Sequence, residues 1–330
     1  MVDSQLMSTN SLQVLKGDEV PINGLNAKSI TIIGYGNQGA AHAANLRDSG
    51  CDVSICTRND KCAIDNGFPI ISAEQAGKSD LIIMAMPDEA QALFFNQSLK
   101  THLKDGATLG FIHGFAIHHK QIEALPGIGI VMVAPKGPGK TLREKFLDNS
   151  GIPALVSVHC DNSHGTAQSL AYGWAAGIGS GRVGIIPTTF KDETETDLFG
   201  EQAIIVGGMM TLMNASFETL VEAGYPKHLA YIECCHEVKQ VADLIFENGF
   251  EKMLESISNT AEYGAYNAIN KLDTEQLREN LRKLLTEIQD GKFAQKFTED
   301  SIPNQRDKLK NSLIEEVGKE IRSFMQQGTD

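Results

Sequence analysis

Two pairs of carboxylates in the second half of the chain recur at the spacing of one helical turn. Asp197 and Glu201 belong to the stretch DLFGEQ, and Glu233 and Glu237 belong to ECCHE. Residues four apart project from one face of an α-helix, so each pair can present its oxygens together. Oxygen ligands suit Mg²⁺, and two such pairs are able to hold two ions. The spacing therefore indicates a candidate metal site.

The same spacing has other interpretations. Acidic residues four apart are common on a solvated helix face, and a single pair would carry no weight. Glu233 and His236 also form an ExxH motif, which di-iron helical bundles use in duplicate. The helix predicted around Asp197 contains no histidine, so a di-iron site is disfavoured. We interpret His236 as a structural helix histidine.

A glycine-rich motif marks the first half of the chain. Residues 34–39 read GYGNQG, the pattern GxGxxG, directly after the apolar run SITII and at the start of a helical stretch. In that position the glycines permit a tight turn, close approach of a pyrophosphate, and helix–strand packing. The helix N-terminus then offers unpaired N–H groups to the phosphates. We favour a dinucleotide site over a glycine-rich turn without a ligand.

The end of the second predicted strand bears on the choice of dinucleotide. An arginine there accommodates a 2′-phosphate, whereas a carboxylate holds a ribose 2′-hydroxyl. The segment reads TRNDK, with Arg58 at the strand end and Lys61 behind it, which favours NADP. Asp60 is the counter-argument, because it is able to accept a hydrogen bond from a 2′-hydroxyl or to pair outward.

Alternating strands and helices must position these groups in the first half. Short apolar runs bounded by turn residues predict strands at Ser29–Ile33, Asp52–Cys56, Asp80–Met86, Ala107–Ile112 and Ile128–Ala134, with Leu155–His159 as a further candidate. Helical stretches such as Gly39–Ser49 separate them. This alternation predicts a parallel sheet with right-handed crossovers.

The sequence changes character after about Thr188. Helical periodicity with charged outer faces extends over Glu193–Ala223, Lys227–Asn248, Thr274–Gln289 and Asn311–Gln326. We therefore predict an α/β domain over residues 1–188, its first 28 residues an extension, and an all-α domain over residues 189–330.

Composition limits the class of partner. The 330 residues have a formal net charge of −13 and contain no basic block, which argues against nucleic acid and anionic membranes. We find no apolar core of a signal peptide and no run long enough to span a bilayer. The six cysteines form no CxxC pair, which favours reduced thiols and a cytoplasmic location.

With these motifs in place, the chain resembles ketol-acid reductoisomerase (acetohydroxy acid isomeroreductase) of the short-chain class. The resemblance runs from about residue 30 to residue 325. It rests on ordered blocks that read GYGNQG with NLRDSG, MPDEAQ, HGFAIHHKQI, MVAPKGPGKTLR, TTFKDETETDLFGEQA, FETLVEAGY, YIECCHEVK and SISNTAEYG. It implies a Rossmann-type domain followed by a knotted-type all-α domain.

The resemblance also implies a reaction. An enzyme of this family uses two Mg²⁺ ions and NADPH to move an alkyl group in 2-acetolactate or 2-aceto-2-hydroxybutyrate. It then reduces the product to the 2,3-dihydroxy acid, a step of valine and isoleucine biosynthesis. In the resembling proteins the second carboxylate pair comes from the partner subunit, so at least a homodimer is implied.

The family's motifs assign roles to particular residues. His113 and Lys136 correspond to polar, proton-handling or orienting groups at the reaction centre, and Ser258 to the residue that holds the substrate carboxylate. The alternatives, which carry more weight without the resemblance, are a turn histidine for His113 and a surface charge for Lys136. His118 and His119 are predicted to face solvent. The cofactor contacts implied are Gly34, Tyr35, Gly36, Asn37, Gln38, Gly39, Arg58, Asp88, Glu89, Ala90, Gln91 and Gly139.

Departures from the family pattern leave alternatives open. The segment after Arg58 is about four residues shorter than usual. Pro187 stands where a glutamate is common, and residues 265–270 read AYNAIN instead of a Gly-Pro-Arg-type segment. One alternative is an NADP-linked reductase of a related hydroxy-keto acid, which works without Mg²⁺. The other is a catalytically altered homologue that binds NADP.

Overall fold

The structure is a computed structural model that describes residues 12–299 and 302–326. Its chain divides into two compact units, residues 1–196 and 197–330. The first is built on a β-sheet and the second on helices.

One seven-stranded sheet organises the first unit. Its strands are β1 Ser29–Ile33, β2 Asp52–Cys56, β3 Leu81–Met84, β4 Thr108–Phe111, β5 Gly129–Pro135, β6 Ala154–Cys160 and β7 Ile185–Pro187. They lie in the order β2-β1-β3-β4-β5-β6-β7, and the first five run parallel, as predicted. All residues of β3, β4 and β5 are buried, which explains why these strands read as continuous apolar runs.

The last two strands depart from the prediction. β6 pairs antiparallel with β5, and β7 pairs parallel with β6. The chain that leaves β5 returns to the same edge of the sheet, where Lys136 N donates to Pro153 O (2.9 Å). The candidate strand at Leu155–His159 is confirmed, but it runs antiparallel to β5, and strand–helix alternation does not encode that return. β7 was not predicted, because three residues are too few to show periodicity.

Helices cover both faces of the sheet. In the first unit they are α1 Asn37–Asp48, α2 Lys61–Asp65, α3 Ala73–Ala76, α4 Asp88–Phe94, α5 Phe115–His118, α6 Gly139–Leu147 and α7 Ala167–Gly177. Alternate residues of β5 enter different apolar clusters: Val131 and Val133 pack in one, Ile130 and Met132 in the other. The unit is therefore a helix–sheet–helix sandwich with a core on each face.

Residues 12–28 are part of this unit. Val20 and Leu25 are buried in the core, and Leu15 forms a β-bridge with Ile185 at the sheet edge. Residues 12–28, predicted as an extension of this domain, therefore pack against its core and its sheet edge. Residues 1–11 lie outside the described residues.

The second unit is helical throughout its described residues, as predicted. α8 Phe190–Gly200 leads into it, followed by α9 Gly207–Glu222, α10 Lys227–Tyr231, α11 Val238–Glu255, α12 Asn259–Leu272, α13 Glu275–Gln289, α14 Lys292–Glu299, α15 Ile302–Lys310 and α16 Leu313–Gln326. Two π-helical turns, Glu201–Ile205 and Ile232–His236, interrupt the two long helices that the sequence predicted. Each is closed by a bond from a backbone N–H to the carbonyl five residues back: Val206 to Glu201 (3.0 Å) and Glu237 to Ile232 (3.2 Å).

Large apolar side chains of the second unit remain exposed. Its buried cluster centres on Phe217, Ala230 and Val317. In contrast, Phe246 is 92% exposed and Phe324 is 77% exposed. Exposed apolar surface on this scale is typical of an interaction surface.

The helical run Phe190–Glu222 corrects one further prediction. Over its 33 residues it is long and apolar enough to cross a membrane, judged by length and composition alone. The prediction that no segment reaches this length was therefore wrong. A single run of this kind is weak evidence for a membrane, because partner-covered helices of soluble proteins have the same composition.

Candidate active site

The carboxyl ends of the five parallel strands carry the predicted groups of the first unit. The registers align Ile33 of β1 with Cys56 of β2 and Met84 of β3, so these strands end at one level. Residues that follow the five strands in order are Gly34, Arg58, Asp88, His113 and Lys136. The order in which strands are added to the sheet reverses at β1, since β2 lies on one side of it and β3 on the other. Such a switch point is where open α/β sheets bind ligands.

The glycine loop after β1 has the form of a dinucleotide cradle. A Cβ on Gly34, which has φ 97°, would lie 2.6 Å from the carbonyl oxygen of Ala85, and one on Gly39 would lie 2.3 Å from that of Gly34. A Cβ on Gly36 would have no atom within 4 Å. Two glycines are thus required by packing, while Gly36 borders open space at the N-terminus of α1. That arrangement fits a pyrophosphate.

The N-terminus of α6 packs against this loop. A Cβ on Gly139 would lie 2.2 Å from the carbonyl oxygen of Asn37, and Gln38 Nε2 donates to Gly137 O (3.0 Å). A groove of about 540 Å³ begins at Tyr35, Gly36 and Asn37 and is bordered by Gly139. Gln38 and Gly139, both predicted cofactor contacts, therefore also fix one helix N-terminus against another.

Predicted cofactor residues also lie at the ends of β2 and β3. Gln91 is buried in α4 and its Nε2 donates to Met86 O (3.1 Å) and to Asp88 Oδ1 (2.8 Å), which fixes the start of that helix. After β2, Arg58 and Asp60 are both exposed. Arg58 could pair with the 2′-phosphate of NADP, and Asp60, two residues later, could accept a hydrogen bond from the ribose 2′-hydroxyl of NAD.

Glu193, in the first turn of α8, is a buried carboxylate with three partners. It is 1% exposed. Lys136 Nζ donates to its Oε1 (2.7 Å), Gly114 N donates to its Oε2 (3.0 Å), and His113 Nδ1 lies 3.0 Å from the same Oε2. Burial alone would raise the pKa of Glu193, but the hydrogen bonds and charges of His113 and Lys136 lower it to about 2. Glu193 is therefore ionised and holds both predicted catalytic residues.

Glu193 was not among the site residues predicted from the sequence. One signal was available, because Glu193 stands four residues before Asp197 and so continues the acidic spacing back by one helical turn. An ionised carboxylate only accepts hydrogen bonds, so the proton of a neutral His113 is on Nδ1. Its Nε2 then carries the lone pair.

His118 and His119, which were predicted to face solvent, are partly buried. The ring of His119 packs edge-on against those of Phe115 and His118, with centroids 4.7 Å apart in each case. Burial, together with the charges of His118 and His113, lowers the pKa of His119 to about 4. His118 Nε2 lies 3.5 Å from Oε1 of the buried Glu195. Tertiary packing, which the short motif does not encode, decides their burial.

In the second unit, three of the four predicted metal ligands lie at π-helical turns. Glu201 begins the first π turn, Glu233 lies within the second, and Glu237 directly follows it. π turns are rare and frequent at functional sites. These three carboxylates are exposed in the single chain, and Asp197 is partly buried. The donor set contains oxygen alone, which fits Mg²⁺.

Ser258 caps a helix. Its Oγ accepts a hydrogen bond from Ala261 N (3.2 Å) at the start of α12, and the residue is exposed. The predicted contact of Ser258 with a substrate carboxylate stays a prediction.

Comparison with known proteins covers both units. Residues 24–184 match the family model described as the NADPH-binding domain of acetohydroxy acid isomeroreductase, and residues 190–327 match that of the C-terminal domain of ketol-acid reductoisomerase. Among solved structures, an NADH-preferring ketol-acid reductoisomerase from an uncultured archean is 35% identical, with a TM-score of 0.92 over 94% of this chain and 99% of that one.

More distant structures share the fold. A semialdehyde dehydrogenase NAD-binding protein from Cupriavidus necator is 17% identical, with a TM-score of 0.62 over 80% of this chain and 99% of that one. An oxidoreductase from Jannaschia sp. CCS1 is 13% identical, with a TM-score of 0.59 over 79% of this chain and 97% of that one.

Proposed function

Because the chain belongs to the ketol-acid reductoisomerase family, we propose that it converts 2-acetolactate and 2-aceto-2-hydroxybutyrate to 2,3-dihydroxy acids. An alkyl migration comes first, and reduction by NADPH follows. This places the protein in valine and isoleucine biosynthesis. The observation that supports the proposal most directly is the buried, ionised Glu193, which holds His113 and Lys136 at the edge of the sheet where the dinucleotide cradle lies.

The cradle and the helical carboxylates divide the cofactors between them. Residues 34–39, together with Arg58, residues 88–91 and Gly139, would hold NADP(H). The four carboxylates Asp197, Glu201, Glu233 and Glu237 would hold two Mg²⁺ ions. When bound, the ions would supply positive charge that stabilises the substrate's developing alkoxide. Ser258 would hold the substrate carboxylate.

The cluster around Glu193 handles protons and orients the substrate. The contact between His113 Nδ1 and Oε2 of Glu193 (3.0 Å) orients the imidazole, which in its neutral form would take the substrate hydroxyl proton. Lys136 is fixed by Glu193 at 2.7 Å, and its positive charge would attract a substrate oxygen. Glu193 itself keeps both side chains in place through its charge.

The two parts of the chain take separate tasks in this proposal. Residues 1–188 form the dinucleotide-binding domain, and residues 189–330 supply the metal ligands and the contacts of a homodimer or a larger dimer-based oligomer. Exposed apolar side chains of the second unit, such as Phe246 and Phe324, support such contacts. We propose a cytoplasmic location, with no nucleic acid or membrane partner.

NADPH is the proposed reductant. Arg58 at the end of β2 supports it, and Asp60 two residues later supports NADH, which the archaeal relative is described as preferring. Steady-state kinetics with both dinucleotides test the choice. We expect Arg58→Gln to raise the KM for NADPH several-fold more than that for NADH. A wild type that already prefers NADH would reject this part of the proposal.

The decisive assay follows NADPH oxidation with two substrates, each with and without Mg²⁺. We expect Mg²⁺-dependent turnover of both 2-acetolactate and its rearranged 3-hydroxy-2-keto acid. Turnover of the keto acid alone, without a need for Mg²⁺, would instead identify a reductase of a related hydroxy-keto acid. NADPH binding without turnover of either would identify an altered, non-catalytic homologue.

A further inference from the structure

A second cavity of the first unit lies outside the residues assigned to the reaction. It has a volume of about 420 Å³ and lies between α5 with the segment that follows it and the start of α8. Its apolar lining includes Ile117, Ile122 and Phe190, each of which is buried. None of these belongs to the dinucleotide cradle or to the Glu193 cluster. The cavity therefore offers an apolar floor that the proposed reaction does not use.

Basic groups line the same cavity. Lys120 and Lys191 border it, and Glu123 is the one acidic residue of its lining. Neither lysine forms an ion pair with any residue in the described part of the chain. Both lysine side chains are exposed at the mouth of the cavity. An anion that enters the cavity would be attracted to two cations against one carboxylate.

Two imidazoles add hydrogen-bonding groups. His118 and His159 both line the cavity. The ring of His159 packs edge-on against that of Phe190, with centroids 5.6 Å apart. His118 is placed by Glu195, whose Oε1 lies 3.5 Å from its Nε2. The polar groups of the rim thus stand directly beside the apolar floor.

We propose that this cavity binds a small carboxylate with a short aliphatic tail. The two lysines would pair with the carboxylate, and Ile117, Ile122 and Phe190 would cover the tail. Inorganic phosphate matches the rim but not the floor, and an uncharged amide matches the floor but not the rim. The proposed binding does not involve Mg²⁺, the dinucleotide or Ser258, so it can be tested separately from the proposed reaction.

Calorimetric titration of the full chain tests the proposal. The probe is isovalerate, added to the metal-free protein in EDTA, with isovaleramide and inorganic phosphate titrated alongside. We expect one equivalent of isovalerate to bind, with weaker or no binding of the other two. Lys120→Gln and Lys191→Gln should each weaken isovalerate binding about fivefold, since each removes one partly exposed charge partner.

Two kinds of control variant locate the site. Lys140→Gln removes an exposed lysine that does not line the cavity, and Ser258→Ala removes the residue proposed to hold the reaction substrate, so both should leave isovalerate affinity unchanged. Ala124→Phe places a ring at an exposed position of the lining and should abolish binding while the melting temperature stays constant.

Contrary results are equally definite. Binding that survives both lysine variants and Ala124→Phe would move the ligand elsewhere. Binding lost in Ser258→Ala would assign it to the reaction site. Phosphate that binds more tightly than isovalerate would overturn the predicted ligand class.

Discussion

Lys136 Nζ lies 2.7 Å from Oε1 of Glu193, across 57 positions of sequence. Lys136 directly follows β5, and Glu193 lies in the first turn of α8. Because the carboxylate also accepts from Gly114 N and contacts His113, one buried anion joins the ends of β4 and β5 to that helix.

Glu193→Gln should lower turnover about 100-fold or more. The neutral amide can neither hold Lys136 through its charge nor fix the tautomer of His113. NADPH affinity, measured by fluorescence titration, should stay within about twofold, since no part of the cradle changes. Asp192→Asn, an exposed neighbour on the same helix, is the matched control and should keep full activity. Full turnover by Glu193→Gln would remove this residue from the site.

Gly36→Ala should separate cofactor binding from folding. A Cβ at Gly36 meets no atom within 4 Å, and its φ of −85° suits alanine, so the free energy of unfolding should change by less than about 1 kcal/mol. The methyl group would occupy the approach of the pyrophosphate, so we expect the Kd for NADPH to rise about tenfold or more.

Gly39→Ala is the contrasting variant. Its Cβ would lie 2.3 Å from the carbonyl oxygen of Gly34, and overpacking of this kind costs about 1–3 kcal/mol of unfolding free energy. Urea denaturation of both variants provides the comparison. Unchanged NADPH affinity in Gly36→Ala would mean that the dinucleotide does not approach this loop.

Glu237→Gln should abolish the rearrangement of 2-acetolactate while leaving NADPH binding nearly intact. The amide removes one of the four proposed Mg²⁺ ligands, and the cradle lies in a different part of the chain. Glu247→Gln, at an exposed position later in α11, is the control for loss of a negative charge. Mg²⁺ titration of the activity is the measurement, and wild-type turnover by Glu237→Gln would exclude this carboxylate as a ligand.

Stability below pH 6.5 should depend on His42. This residue is fully buried, and its Nδ1 accepts a hydrogen bond from Trp174 Nε1 (2.9 Å). Burial lowers the pKa of His42 from 6.5 to about 3. As the pH falls below 6.5, His42 is protonated in the unfolded chain but stays neutral in the folded chain. The free energy of unfolding therefore decreases by about 1.4 kcal/mol per pH unit between pH 6.5 and the folded pKa.

Urea denaturation at pH 7 and pH 5 measures this contribution. His42→Asn keeps an acceptor for Trp174 and should lose about 2 kcal/mol less than wild type between the two pH values. His164→Asn, at an exposed histidine, should behave as wild type. Equal pH dependence in His42→Asn would show that this imidazole is protonated in the folded state.

Local sequence patterns predicted much of the fold. Apolar β-branched runs located β1 to β5 within a few residues, because strands buried on both faces need continuous apolar sequence. The direction of β6 was missed, since it depends on where the chain after α6 returns. The π turns were also missed, because an extra residue in a helical turn leaves no mark in a 3.6-residue period.

The candidate site divides in the same way. The glycine motif could be predicted from the sequence because its glycines meet local backbone requirements. Gly34 has no room for a Cβ, and Gly36 leaves open space for a ligand. Glu193 was missed because nothing in its local sequence distinguishes it from the other acidic residues of KDETETD. Its burial and its partners come from segments far away in the chain.

The sequence by itself determined the family, the order of strands and helices, and the residue types available for chemistry, because these depend on short-range patterns and motifs. The tertiary structure alone decided that Glu193 is buried and ionised, that His118 and His119 are partly buried, and that β6 and β7 run antiparallel to the other five strands. Burial and charge pairing arise where distant segments meet, and their energies depend on distances that a linear sequence does not contain.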